Sequence, residues 1–489
     1  MIRVRFAPSP TGLLHVGSLR SGLYNFLFAR HGGGTVVLRI EDTDQTRFVE
    51  GAEQNIIDMF AWCGITFDEG PHVGGPYGPY RQSERTDIYS RHAAMLIERG
   101  TAYIAFDSAE ELDRMRERQQ QAGIAPKYDR SSMRNQFTLG PDETARLVKE
   151  GVEHVIRLFV PLTGETRTSD LIRGESAFAN RTIDDQILVK SDGFPTYHLA
   201  NIVDDHLMEI THVIRGEEWL PSLPKHVILY DAFGWEKPLF AHLPLLLGAT
   251  RKKLSKRDGD VSVQEYASKG YLPEALVNFV ALLGWNPTAD REIFSMEEMV
   301  SLFDLEKVNK AGAIFDTQKL DWMNGVYLRS LPTSRLVDDL MPLLQSAGFT
   351  SIDRAFAEKV IDLVKERINF VRDVPLFADY MFGPVRQFDT EYDAKQWKPE
   401  TAGQMIELAD RLAALPEHGW TVPGIEAVVR AYAEELDLTA GKLIHPLRLS
   451  ITGKRVGAGM FETMEALGRD ESLKRMREYA ERKRMESGK

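Results

Sequence analysis

Apolar and polar positions alternate from the start of the chain: Ile2, Val4 and Phe6 are separated by Arg3 and Arg5, the period-two pattern of a half-buried strand. Two prolines and a glycine between Ala7 and Gly12 then end that strand in a stiff turn. Downstream, Leu19, Leu23, Phe26 and Leu27 fall at helical spacing, so a helix opens at His15 to Ser18. Residues 31–34 are a turn, and 35–40 a strand that runs straight into Glu41-Asp42-Thr43-Asp44. An amphipathic helix is expected over 52–62, a Gly/Pro-rich loop over 70–79 and a second helix over 83–99. This order predicts a doubly wound α/β sheet, whose ligands bind outside the carboxyl ends of its strands, where Glu41 stands.

From 100 to 190 the pattern changes. Strand signals at 102–106, 155–160 and 187–190 surround a highly charged helix at 109–121 and a basic loop at 125–135, which predicts an inserted domain. The α/β pattern resumes at Asp192, with a helix over 198–206, a strand over 211–215, and further signals at 224–233 and 239–247. Beyond Ser262 the chain turns helical. Residues 271–283 are strongly apolar, and Phe356, Val360, Leu363, Val364, Ile368 and Val371 mark one helix face. No strand pattern is convincing after Tyr327. The boundaries expected are 1–99 and 191–250 for the two halves of an α/β domain, 100–190 for the insertion, 251–327 for a basic loop and helical region, and 328–489 for a helical region.

Composition narrows this. The 489 residues suffice for two to four domains. The one cysteine, Cys63, permits neither an internal disulfide nor a CxxC zinc ribbon, and is expected to be a small buried filler. The N-terminus lacks the apolar core of a signal peptide and no apolar run approaches membrane-spanning length, so a reducing cytoplasm and no membrane partner are expected. The net charge of −12 argues mildly against a nucleic-acid partner. Residues 440–489, however, carry twelve Lys/Arg against seven Asp/Glu, which suits either an RNA backbone or a solvated basic helix over 473–484.

Chemistry concentrates in two stretches. The first is the turn Ala7-Pro8-Ser9-Pro10-Thr11-Gly12 leading into His15-Val16-Gly17-Ser18, a helix start whose unpaired N–H groups suit phosphate. The second is the basic loop Arg251-Lys252-Lys253-Leu254-Ser255-Lys256-Arg257-Asp258-Gly259. The first resembles the HIGH signature of class I aminoacyl-tRNA synthetases, and Lys253 to Arg257 resembles their KMSKS signature. Residues 39–44, 80–85, 192–201 and 214–219 extend the likeness to the bacterial glutamyl members of the glutamyl/glutaminyl branch, over nearly the whole chain.

That resemblance implies an α/β fold: a Rossmann-type catalytic domain, an inserted α+β connective domain that holds the tRNA acceptor end, and an all-α anticodon-binding C-terminal region. It implies ATP-dependent formation of glutamyl-adenylate and transfer of glutamate to tRNA(Glu), with activation waiting for bound tRNA. Magnesium would arrive with ATP, held by phosphates and water. Some relatives carry a zinc-binding cysteine cluster near the start of the insertion; residues 102–107 have no cysteine, so no zinc is expected. A monomer is the default expectation, and tRNA(Gln) is a second candidate substrate. Three rivals are a truncated relative that glutamylates queuosine in another tRNA, a small-molecule adenylating enzyme, and a non-enzymatic RNA-binding paralogue. The long helical third counts against the first two, and the retention of both His15 and Lys256 against the last.

Carboxylate attack on the α-phosphate needs no side-chain nucleophile, only positioning and charge stabilisation. Residue by residue, the resemblance assigns His15, Lys253 and Lys256 to catalysis. It assigns Ala7, Pro8, Ser9, Thr11, Gly12, His15, Gly17, Ser18, Glu217, Trp219, Leu254, Ser255 and Lys256 to ATP. Arg5, Ser9, Glu41, Tyr197, Asn201 and Arg215 are assigned to glutamate. Arginine suits a carboxylate because its planar fork forms two charge-assisted bonds with it; read from its strand alone, Arg5 is surface decoration like Arg3. Glu41 would take the ammonium, and Tyr197 and Asn201 share a helix face. Asp205, Arg367 and Arg448 are assigned to RNA, with the ATP ribose a second partner for Asp205. Asp204-Asp205-His206 is not expected to hold a metal, since adjacent helical residues diverge, and His198 is expected to be a hydrogen-bonded core histidine.

Overall fold

The computed structural model describes residues 1–255 and 261–487. The chain divides into two units: Met1–Lys269 with Pro273–Thr317, and Gly270–Leu272 with Gln318–Lys489. The helix Thr317–Ser330 begins at the division between the units and runs past 327.

In the first unit β1 (Arg3–Phe6), α1 (Val16–His31) and β2 (Thr35–Leu38) form a β-α-β unit, with β1 and β2 parallel and Arg3 opposite Thr35. The strand stops at Leu38, short of 40, although Ile40 makes an isolated parallel bridge to Arg81. The expected helix over 83–99 is a 3₁₀ turn, Gln82–Arg85, followed by α3 (Thr86–Glu98); α2 is Ala52–Trp62. The α1–β2 turn is tight: Gly34 N–H donates to Ala29 C=O at 2.7 Å and Thr35 N–H to Ile2 C=O at 3.0 Å.

The insertion holds β3 (Ala102–Ala105), β4 (Val155–Leu158) and, past a hairpin, β7 (Ile187–Val189), in an antiparallel sheet with β4 central. The hairpin β5 (Glu165–Asp170) and β6 (Gly174–Ala179) had no counterpart in the sequence pattern, because its buried positions are Thr166, Thr168 and Asp170. After the helix Tyr197–Leu207, β8 (His212–Gly216) and β9 (Leu239–Leu243) pair in parallel. Thr211 N–H donates to Arg3 C=O at 2.9 Å, joining β8 to β1 at one end. The exits of β1, β2 and β8 therefore open on the same side.

The first strand is buried on both faces, not one. Val4 and Phe6 enter the core, while Arg3 pairs with Glu69 at 2.8 Å and Arg5 with Asp205 at 3.0 Å. Alternation in charge here marks paired cations inside a covered sheet, so Arg5 is not surface decoration. Cys63 is buried, as expected.

The second unit is helical, and among the described residues no strand follows Ile314. The face predicted over 356–371 is broken: the helix Arg354–Val364 ends in a 3₁₀ turn, Lys365–Arg367, and Ile368 is extended backbone. The basic helix Arg469–Ser487 is not merely solvated. Leu473, Met476, Tyr479 and Ala480 are buried, and Arg475 donates to the carbonyls of Tyr380, Ile451 and Gly383 at 2.8–3.0 Å.

A methyl group at Gly34 would stand 2.4 Å from Ile2 C=O, a backbone atom with no room to yield. Gly34→Ala is expected to destabilise the first unit by about 1–3 kcal/mol, read as a lowered thermal midpoint by calorimetry.

Candidate active site

A cavity of about 640 Å³ opens beyond the carboxyl ends of β1, β2 and β8, lined from those three exits by Arg5 to Ser9, by Glu41, and by Ile214 to Gly216. Its floor is a buried ion network. Arg39, fully buried, donates to Asp205 at 2.8 Å and to Glu41 at 3.2 Å, and lies 3.8 Å from Asp204. Asp205 also accepts from Arg5 at 3.0 Å, and Asp204 from Arg85, Gln82 and Tyr89 at 2.8–2.9 Å. Burial alone would raise the Asp205 carboxyl, but Arg5 and Arg39 outweigh it and hold it below the ordinary carboxylate range. Burial wins at Glu41, pushing its carboxyl up against the pull of Arg39 and Arg5. An ammonium beside Glu41 would favour the charged form.

The two aspartates thus act as counter-ions beneath the cavity. Asp205 is buried and bonded to Arg5 and Arg39, so its carboxylate is turned to those two guanidinium groups. The adjacent pair also diverges less than helix geometry suggested, since both side chains reach Arg39.

Arg215, 6% exposed, lies among neutral acceptors. Its Nε–H donates to His242 Nε2 at 3.0 Å, one terminal nitrogen donates to Tyr197 Oη at 2.7 Å, and the other faces His226 Nδ1 at 3.3 Å. His226 Nε2 in turn faces His198 Nδ1 at 3.1 Å. Among the described residues no ion pair is made to Arg215. Burial, then the Arg215 charge, drives His226 well below its ordinary value. Burial, then Lys225 and Arg215, takes His198 down to about 4. Tyr197 packs against the half-exposed Trp219 with ring centroids 4.2 Å apart. Asn201 Nδ2 donates to Glu41 at 3.1 Å, and Asn201 Oδ1 has no partner among the described residues.

His15 is the N-cap of α1: its Nδ1 accepts from Gly17 N–H at 2.9 Å, so the neutral ring carries its proton on Nε2. Two smaller cavities adjoin. One, about 370 Å³, is lined by Thr11, Gly12, His15 and Ser262; the other, about 250 Å³, by His15, Gly17, Ser18, Glu218, Lys253 and Leu254. The early histidine and the late Lys253 therefore border one space. Main-chain bonds fix this closure: Val16 N–H to Val261 C=O at 2.9 Å, Val263 N–H to Leu14 C=O at 2.8 Å, and Leu254 N–H to Leu246 C=O at 2.8 Å. Ser255 is exposed next to Leu254, while Lys256, with Arg257, Asp258 and Gly259, lies outside the described residues.

Ala7, Pro8, Ser9, Thr11, Gly17, Ser18 and Trp219 line the main cavity. Glu217 does not: its carboxylate accepts from Leu245 N–H at 2.8 Å and pairs with Arg173. Its neighbour Glu218 borders both the main and the third cavity instead. In a Glu-Glu pair after a strand the sequence offers no way to choose between them. Thr43, Asp44, Arg47 and Lys190 also line the cavity and were missed, although Thr43 and Asp44 stand in the stretch 39–44 that follows the second strand. In the second unit Arg448 donates to Ala458 C=O at 2.9 Å, and burial, then the charge of Arg367 among its neighbours, lowers its guanidinium.

Residues 1–322 match the family described as tRNA synthetases class I (E and Q), catalytic domain, and residues 335–480 match an anticodon binding domain. The chain is 45% identical over 493 residues to a glutamate–tRNA ligase of Chlorobium luteolum, covering 98% of this chain and 97% of the other. It is 46% identical over 488 residues to one of Pelodictyon phaeoclathratiforme, covering 97% of each. A crystal structure of a glutamate tRNA ligase from Elizabethkingia meningosepticum, in complex with its amino acid, superposes with a TM-score of 0.93 at 42% identity, covering 98% of this chain and 99% of that one.

His198 titrates near 4 when folded against an ordinary 6.5, so the unfolded chain binds the extra proton between those values. Stability is full above pH 6.5 and falls as pH drops toward 4, by up to about 3 kcal/mol from this residue. His198→Gln should flatten that part of a denaturation-versus-pH profile.

Proposed function

The chain belongs to the class I tRNA synthetases of the E and Q family, and from that premise we propose that it is an ATP-dependent glutamate–tRNA ligase that charges tRNA(Glu) and activates glutamate only with tRNA bound. In the first step a carboxylate oxygen of glutamate attacks the α-phosphorus of ATP, and the bond to the bridging oxygen breaks, so that pyrophosphate leaves with the electron pair. In the second, a hydroxyl of the terminal ribose attacks the adenylate carbonyl and AMP departs. The observation that carries this reading is that Arg5 and Arg215, from separate strands, line one cavity with Glu41: guanidinium groups for an acidic substrate, Arg215 foremost, and a buried carboxylate for its ammonium.

His15 Nε2–H and the N–H groups at the start of α1 would donate to phosphate oxygens as charge develops. Lys253 and Lys256 would neutralise the leaving pyrophosphate. Tyr197 and Trp219, packed at a tilt of 34°, suit the wall of a nucleotide site. Glu218, bordering two of the cavities, fits a hydrated magnesium carried by the triphosphate, whose chemistry there is neutralisation of phosphate charge. The match of 335–480 to an anticodon binding domain favours a tRNA acceptor over a small molecule. Arg367 and Arg448 are proposed to approach the anticodon.

The test is glutamate-dependent ATP–pyrophosphate exchange with and without tRNA. Exchange is expected only with tRNA; its absence under both conditions removes the reading, and exchange without tRNA removes the tRNA dependence. His15→Asn offers a sharper probe, because asparagine can still cap α1 through Gly17 N–H yet lacks the Nε2 donor. Its thermal midpoint should match wild type, while adenylate formation slows by about 10²- to 10³-fold.

A further inference from the structure

We propose that Asp170 and His242 are positioning residues that lock Arg215 in register as the reader of the substrate's side-chain carboxylate, and so help to set glutamate over glutamine. This rests on the glutamate reading of the cavity and extends it to two side chains that do not line it.

A guanidinium has five N–H donors. Three from Arg215 are engaged, by His242, Tyr197 and His226. One on each terminal nitrogen is left, and a carboxylate can accept from two such donors. The Arg215–His242 bond exists only if His242 Nε2 is bare, so its proton must sit on Nδ1. Asp170 enforces that tautomer, with Oδ2 2.6 Å from His242 Nδ1. Burial helps to keep the ring neutral, against the pull of Asp170. Asp170 is itself fixed, because its Oδ1 accepts the backbone N–H groups of Arg173, Ile172 and His242 at 2.8, 3.0 and 3.3 Å. The turn that carries it is bonded to β9 through Leu171 N–H to Phe240 C=O at 2.8 Å. The arginine's orientation is therefore dictated from the insertion's hairpin. A glutamine amide would bring its own N–H₂ to this donor pair, a mismatch with no acceptor to relieve it.

The same geometry supplies the experiment. In Asp170→Asn the amide oxygen keeps the three backbone donors, which turns the N–H₂ toward His242 Nδ1. The ring must then move its proton to Nε2, where it opposes Arg215 Nε–H. Ligand exchange assays with tRNA, varying glutamate and ATP separately, should show the KM for glutamate raised roughly tenfold or more, the KM for ATP and kcat near wild type, and a reduced preference for glutamate over glutamine. Histidine ¹⁵N NMR should show His242 switching tautomer. His242→Gln, whose amide can present oxygen to Arg215 and N–H to Asp170, should hold the glutamate KM within about threefold. A folded Asp170→Asn with an unshifted glutamate KM, or one in which both KM values rise together, overturns the inference while wild-type exchange leaves the glutamate reading standing. A wild-type protein with no exchange overturns both.

Discussion

The site depends on burying Arg39 where β2 leaves the sheet. A fully desolvated guanidinium is tolerable only with carboxylates around it, and here Asp205 and Glu41 bond to it while Asp204 stands 3.8 Å away. Those partners come from the β2 exit and from the helix Tyr197–Leu207, elements some 160 residues apart in the chain. Through Asp205 the same charge reaches Arg5 on β1, and through Asp204 it reaches Arg85 and Tyr89. Losing Arg39 would leave Glu41 in the core without its ion-pair partner and Asp205 with Arg5 alone, so this one cation locks the cavity floor. It also fixes the electrostatics above it. Arg5 is already matched by Asp205, whereas Arg215 is surrounded by neutral rings, so the cavity's need for an anion is concentrated at Arg215.

Much of the α/β frame was legible because its signals are local. Ile2, Val4 and Phe6, then Leu19, Leu23, Phe26 and Leu27, announce β1 and α1 by period alone, and the strand exits follow from them. What stayed hidden depends on long-range pairing. Arg5 and Arg3 look alike in sequence, and only the position of Asp205 separates their environments. The β5–β6 hairpin was invisible because threonine and aspartate fill the positions where apolar residues would have marked a strand. Glu217 and Glu218 are indistinguishable by pattern, yet Arg173 and Leu245 claim the first. The helix face drawn through 371 failed for a related reason: hydrophobic spacing persists across Lys365–Arg367 although the backbone does not.

The hairpin carries more of the catalytic unit's organisation than its size suggests. Asp170 holds His242 on β9, and Arg173 holds Glu217 after β8. A segment of the insertion thus clasps the ends of two strands of the sheet it interrupts. Insertion and sheet cannot shift against each other at this point without disturbing Arg215.

The hydrogen bonds that flank residues 256–260 set a length rule. Leu254 is tied to Leu246 and Val261 to Val16, so the described chain on either side of that stretch ends in a fixed post. Seven residue steps extend no further than about 25 Å, so the two posts can stand no further apart than that. Lengthening or shortening that stretch changes the span the two posts are allowed, whereas a substitution within it leaves the span unchanged.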